Sequence, residues 1–114
     1  MAGLPLNTFK NVPWAVTDTL TTPYVTPLGI TSIVLMAQVS NVDSTPATVT
    51  FIHQQHRSPQ TTTYIIKEIV VPPNDARILL GGKLVLESLD QIKIQADRNG
   101  ALQFIASVLE TANQ

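Results

Sequence analysis

Turn signals cut the second half of this sequence into pieces of strand length. Pro72-Pro73-Asn74-Asp75, Gly81-Gly82 and Asp97-Arg98-Asn99-Gly100 punctuate residues 63–110. Each cluster supplies fixed-φ proline, permissive glycine or side chains that bond nearby backbone. Between the clusters, apolar residues alternate with polar ones. In residues 90–96, Ile92, Ile94 and Ala96 take one face, while Gln91, Lys93 and Gln95 take the other. In residues 101–110, Leu102, Phe104, Ala106 and Val108 share a face. A repeat of two is the strand repeat, because successive side chains of an extended chain point to opposite sides. The turn at 97–100 predicts that these two strands form a hairpin.

The same reading extends upstream. Residues 30–41 form a strand with Ile33, Leu35, Ala37 and Val39 on one face and Val34, Met36, Gln38 and Ser40 on the other. Apolar residues on both faces predict a central strand covered on both sides. Asp43-Ser44-Thr45-Pro46 is a turn. Residues 48–55 form the next strand, with Val49, Phe51 and His53 on one face, and residues 56–62 form a polar loop. Residues 64–71 form a strand that Pro72-Pro73 ends, since neither proline can donate to a ladder. Residues 77–80 and 83–87 flank Gly81-Gly82. A tight reversal is expected there, with a bulge inside one longer bent strand as the alternative. No window has convincing helical periodicity; residues 101–111 are the best competitor.

These strands recur about every 8–12 residues, which predicts an all-β antiparallel sandwich, jelly-roll or immunoglobulin-like, of about eight strands. Residues 1–29 differ. They hold four of the eight prolines (Pro5, Pro13, Pro23 and Pro27) and many threonines. Proline excludes a helix or a long central strand here, so extended pieces are expected near 8–12 and 14–20. The segment reads as an edge strand with a loop, or as an arm lying on a neighbouring subunit. Residues 30–114 are the expected core of one domain spanning 1–114.

Composition narrows the function. Only 13% of residues are charged, against about 25% in ordinary globular proteins. The surface is therefore either coated by Thr, Gln, Asn and Ser or partly covered by other subunits. A net charge of −1 lacks the basic stripe of a nucleic-acid binder. No apolar run suits a membrane span, no signal peptide is expected, and no membrane partner is expected. Without cysteine there is no disulfide, thiolate metal site or cysteine nucleophile.

Candidate chemistry is sparse. His53 and His56 form the only H-x-x-H; on a strand an offset of three puts the pair on opposite faces, so they cannot converge on one metal, and they read as one semi-buried and one loop histidine. The carboxylates are scattered, mostly in turns where Asp bonds nearby backbone. No serine sits in a G-x-S-x-G elbow. Gly81-Gly82-Lys83 lacks the upstream glycine and the following Ser/Thr of a phosphate loop, since Leu84 stands there. No enzyme, metal or cofactor is expected. Phe9, Trp14 and Tyr24 are the apolar candidates for subunit contacts, and Asn74, Arg77 and Arg98 the polar ones in or beside the turns. An aromatic sugar platform built from Trp14 and Tyr24 is the competing use.

Four stretches carry a resemblance. They are Met1-Ala2-Gly3-Leu4-Pro5-Leu6-Asn7-Thr8-Phe9-Lys10, Gly29-Ile30-Thr31-Ser32-Ile33-Val34-Leu35-Met36-Ala37-Gln38-Val39, Gly82-Lys83-Leu84-Val85-Leu86-Glu87 and Ala106-Ser107-Val108-Leu109-Glu110-Thr111-Ala112. Together they resemble small virion structural proteins of tailed bacteriophages, in particular those of T4-like marine cyanophages. Leu89-Asp90 stands where that pattern often has Gly-Asp. The resemblance implies a non-enzymatic, multi-copy virion component made in the host cytoplasm. It would be a capsid decoration subunit or a neck or tail subunit. Its partners would be copies of itself and other virion proteins. It carries over no catalytic, metal or cofactor residues. A host-recognition or carbohydrate-binding module is the reading from a different class.

Overall fold

The chain folds as one long antiparallel ribbon rolled upon itself. The computed structural model describes residues 7–113. Its strands are β1 (Asn7–Ala15), β2 (Thr21–Val25), β3 (Ile30–Asn41), β4 (Ala47–Gln54), β5 (Thr62–Val71), β6 (Ala76–Ile78), β7 (Leu84–Leu86), β8 (Gln91–Ala96) and β9 (Leu102–Ala112). β1 pairs with β9, β2 with β8, β3 with β6 and β7, and β4 with β5, all antiparallel. First pairs with last and so on inward, so the ribbon closes at the β4–β5 hairpin. Rolling it sends successive pairs to opposite layers. Further ladders of β9 on β3 and β8 on β4 complete two sheets. One has the order β1-β9-β3-β6, with β7 also on β3; the other is β2-β8-β4-β5. This is the jelly-roll form of the expected sandwich, and no helix occurs among the described residues.

The expected 90–110 hairpin does not form. β8 lies in the four-stranded sheet and β9 in the five-stranded one, so the turn at 97–100 carries the chain across the core. Both strands nevertheless bury the residues assigned to their inner faces. Alternation identifies a buried face, and strands facing each other across a sandwich show it as well as strands side by side.

Gly81-Gly82 is the second correction. β6 and β7 both run antiparallel to β3, with Ile78 opposite Gln38 and Leu84 opposite Val34. They are two ends of one edge strand interrupted at residues 79–83, so the bent-strand alternative holds and the chain does not reverse there. β3 is itself bulged: its register on β9 shifts between Val34 and Met36. Ser32 and Val34 face the core before the bulge, and Ala37, Val39 and Asn41 face it afterwards. The expected common face of Ile33, Leu35, Ala37 and Val39 is thereby split, leaving Ile33 and Leu35 half-buried outside the core. β3 is central, as expected, but the opposing sheet covers only one of its faces.

β1 and β2 place residues 7–25 at one edge of each sheet. Pro13 is tolerated within β1 because an edge strand has unpaired N–H positions. The expected N-terminal arm falls partly on residues 1–6, which lie outside the described residues. Between the sheets, Phe51 of β4 and Phe104 of β9 meet with ring centroids 5.8 Å apart, tilted by 38°. Val34, Val39, Val49, Ile92, Ile94 and Val108 pack around them.

Candidate interaction surface

Two buried carboxylates lie at the same end of the roll. Glu110 on β9 accepts a hydrogen bond from the Tyr24 hydroxyl on β2, across the sandwich. The Tyr24 hydroxyl also lies 2.7 Å from Ser32 Oγ, and Lys10 Nζ lies 3.2 Å from Glu110 Oε1. Burial, and then the Glu110 carboxylate, push the Tyr24 phenol well above its ordinary range, so it remains a donor. Asp90, 2% exposed, accepts from the backbone N–H of His56 at 2.9 Å and of Glu87 at 3.0 Å. His53 Nε2 stands 3.5 Å from Asp90 Oδ2, too long for a good hydrogen bond. Leu89, beside Asp90, has φ +67°, a conformation glycine adopts most easily. The turn thus keeps glycine-like geometry without glycine. Among the described residues no cluster of three His, Asp or Glu side chains is arranged to hold a metal ion.

Arg98 clamps the turn after β3. Its Nε and Nη2 donate to Asp43 Oδ2 at 3.1 and 2.8 Å, Nη2 also to the Thr45 carbonyl at 3.0 Å, and Nη1 to the Pro46 carbonyl at 2.8 Å. Hydrogen bonding from Arg98 holds the Asp43 carboxyl below its ordinary value of 3.8. A lowered folded-state pKa adds stability above the unfolded value, and that stability is lost as pH falls through the folded value. Arg98→Ala is therefore expected to be less stable than wild type at neutral pH, with the gap narrowing below about pH 3.8. Urea denaturation across pH checks this; a gap that stayed constant would contradict the clamp.

The outer face of the five-stranded sheet is unlike the rest of the surface. Residues paired across a ladder share a face, so the registers place Phe9, Leu109, Ile33 and Val85 in one row across β1, β9, β3 and β7. Pro13, Ile105, Gln38 and Ile78 form a parallel row. Asn11, Ser107 and Met36 lie between them. No charged residue occupies an outward ladder position of this sheet among the described residues. Phe9, Ile78 and Val85 are 72%, 61% and 55% exposed. Exposed apolar side chains gathered on one uncharged face mark interaction sites in soluble proteins. The outer face of the four-stranded sheet, by contrast, carries Gln91, Lys93, Gln95, Thr48 and Thr50, and Lys67 lies over the Tyr64 ring.

The six residues singled out from sequence are dispersed. Phe9 stands on the uncharged face. Trp14 is half-buried on the inner side of β1, opposite Phe104, with Nε1 donating to Thr21 Oγ1 at 2.9 Å. Tyr24 is a core residue, so it forms no exposed platform with Trp14. Asn74 is exposed in the turn before β6 with φ +58°, and Arg77 is exposed on β6 at the sheet edge. Arg98 is occupied within the chain. Ile33, Ile78, Val85, Ile105 and Leu109 were missed as surface candidates. Ile105 and Leu109 alternate out of phase with the core face of β9, which was the available signal.

Comparisons with known structures bear on the fold. The chain is similar to the subunit of Bacillus endospore appendages, described as disulfide-linked pili, with TM-score 0.58 and 11% identity over 100% of this chain and 98% of that one. It is similar to a chain of the acid-stable capsid of Helicobacter pylori bacteriophage KHP30, with TM-score 0.55 and 8% identity over 96% and 90%. Viral capsids use this fold. A chain of the infectious bursal disease virus particle also matches, with TM-score 0.58 and 6% identity, over 96% of this chain and 32% of that one. This chain thus corresponds to about a third of that viral chain. Neither protein-family models nor curated protein sequences give a match.

Proposed function

We propose that this chain is a non-enzymatic virion structural subunit, present in many copies and held in place by subunit contacts. The observation that carries the reading is the uncharged apolar face on a small jelly roll. It gives the low charge content a location, since the deficit falls on one sheet. The fold shared with phage and viral capsid chains and the resemblance to tailed-phage virion proteins point the same way. The finer reading is a capsid decoration subunit of a tailed phage, with the major capsid protein as partner. A neck or tail subunit is the alternative. Its likeness to a pilus subunit spans nearly all of both chains, but a chain without cysteine cannot reproduce disulfide linkage.

The mechanism is passive. Each contact removes apolar sheet surface from water, and association stabilises the folded subunit by mass action. Quantitative mass spectrometry and reconstruction of purified particles test the proposal. The chain is expected in the particle, at a copy number matching the capsid lattice for decoration or a single ring for the neck. Its absence from purified particles would overturn the virion reading.

A further inference from the structure

We propose that the uncharged outer face of the β1-β9-β3-β6/β7 sheet is the contact between two copies of this chain, packed face to face about a twofold axis. This rests on the reading of the chain as a multi-copy subunit, and goes beyond it by naming the occupant of the face. The first argument is size. Strands of 9, 11 and 12 residues in β1, β9 and β3 at ~3.4 Å per residue, across four positions ~4.8 Å apart, give a face of ~700 Å². A stable interface covers about 800 Å² per partner, so the face alone nearly suffices and little else need be recruited.

The second argument is charge. The other broad surface of the chain, the outer side of the four-stranded sheet, carries Lys93 and Lys67. Head-to-tail packing would bury those ammonium groups against a face that offers no carboxylate, which is costly. Two copies of the uncharged face meet without burying any charge and without like-charge repulsion. An isologous contact of this kind also closes on itself, so it makes pairs, not fibres. Sheets packed in this way lie ~10 Å apart. Ser107, midway between Ile105 and Leu109 in the middle row, then faces the neighbourhood of the axis and approaches its counterpart.

The chain has no cysteine, so a single introduced one reports cleanly. Ser107→Cys, treated with a bis-maleimide of ~10 Å reach, is expected to give a covalent dimer. Gln95→Cys on the opposite sheet is expected to stay uncrosslinked. In sedimentation equilibrium, wild type is expected to dimerise reversibly. Ile105→Lys is expected to weaken the dimer roughly a hundred-fold, since two ammonium groups would enter a dry contact. Tyr64→Lys, a change to the same cation at an exposed position on the other sheet (53% exposed against 39% for Ile105), is expected to have no effect. A wild-type chain that remains monomeric at its highest soluble concentration overturns the inference. So does equal weakening by the two lysine variants, or equal crosslinking of the two cysteine variants. If Ile105→Lys fails to fold by circular dichroism, the cysteine pair decides alone. The two readings separate cleanly. A monomer found in particles overturns only the pairing, and a dimer absent from particles overturns only the virion role.

Discussion

Asp90→Ala is expected to lower the unfolding free energy by about 2–4 kcal/mol, because it leaves two part-buried backbone N–H groups without their acceptor, each in the lower half of the range of about 1–3 kcal/mol. The carboxylate is 2% exposed and occupies a position no ladder reaches. Oδ1 takes the N–H of His56, where the chain leaves β4, and Oδ2 takes the N–H of Glu87, just beyond β7. The backbone of the same turn is fixed on its other side, where Thr26 N–H donates to the Asp90 carbonyl at 2.9 Å and Leu89 N–H donates to the Thr26 carbonyl at 2.9 Å. Asp90 thus ties β4 to β7 through its side chain, and its turn ties β2 to them through the backbone, at one end of the roll. Burying a carboxylate is costly unless donors surround it, and here two N–H groups do so. Asp90→Asn keeps one acceptor oxygen and is expected to fall between wild type and Asp90→Ala. Asp75→Ala serves as the reference, since Asp75 is exposed and bonds only the next residue's N–H. Urea denaturation gives the ranking, and amide exchange at His56 and Glu87 locates the effect. If Asp90→Ala cost no more than Asp75→Ala, the tie would not exist.

The legible part of this fold was whatever depends on neighbours in sequence. Period-two alternation placed Ile92, Ile94, Ala96, Leu102, Phe104, Ala106 and Val108 toward a core, and the turn residues fell between strands. Pairing was not legible in the same way. β8 and β9 are joined by four-residue turn chemistry that suits a hairpin, yet their ladder partners lie far away in the chain. Bulges were hidden for a related reason. One inserted residue at Leu35 swaps the faces of everything beyond it, and nothing local announces it because Ile33, Val34, Leu35 and Met36 are all apolar. Asp90 was read as the first residue of the strand 90–96. Its bond to Glu87 is local turn chemistry, and its bond to His56, 34 positions away, could not be seen. The charge deficit was visible as a number. Its concentration on one sheet face became visible only through the registers, which show that outward positions of β1, β3, β6, β7 and β9 are all uncharged.

Phe104→Ala is expected to cost about 3–5 kcal/mol, the usual range for removing a buried aromatic ring. The upper part of that range is favoured by geometry. Phe104 is 2% exposed and Phe51 is fully buried, and they belong to opposite sheets, so neither backbone can follow the missing ring without breaking a ladder. β9 is held on both sides by β1 and β3, and β4 by β5 and β8. Phe51→Ala is expected to cost a similar amount. The double variant separates packing from contact: ring pairs at this separation add about 0.5–1.5 kcal/mol beyond their burial. The two single losses should therefore exceed the double loss by that margin in a double-mutant cycle. Strict additivity would mean that each ring merely fills space beside the other. The cycle also probes the roll itself. Phe51 lies next to the ribbon's closed end and Phe104 near its open end, so their contact exists only once β8 and β9 have crossed the sandwich. A hairpin of β8 and β9 in one sheet would leave Phe104 beside Ile94 instead of facing Phe51 across the core, and the coupling energy would vanish.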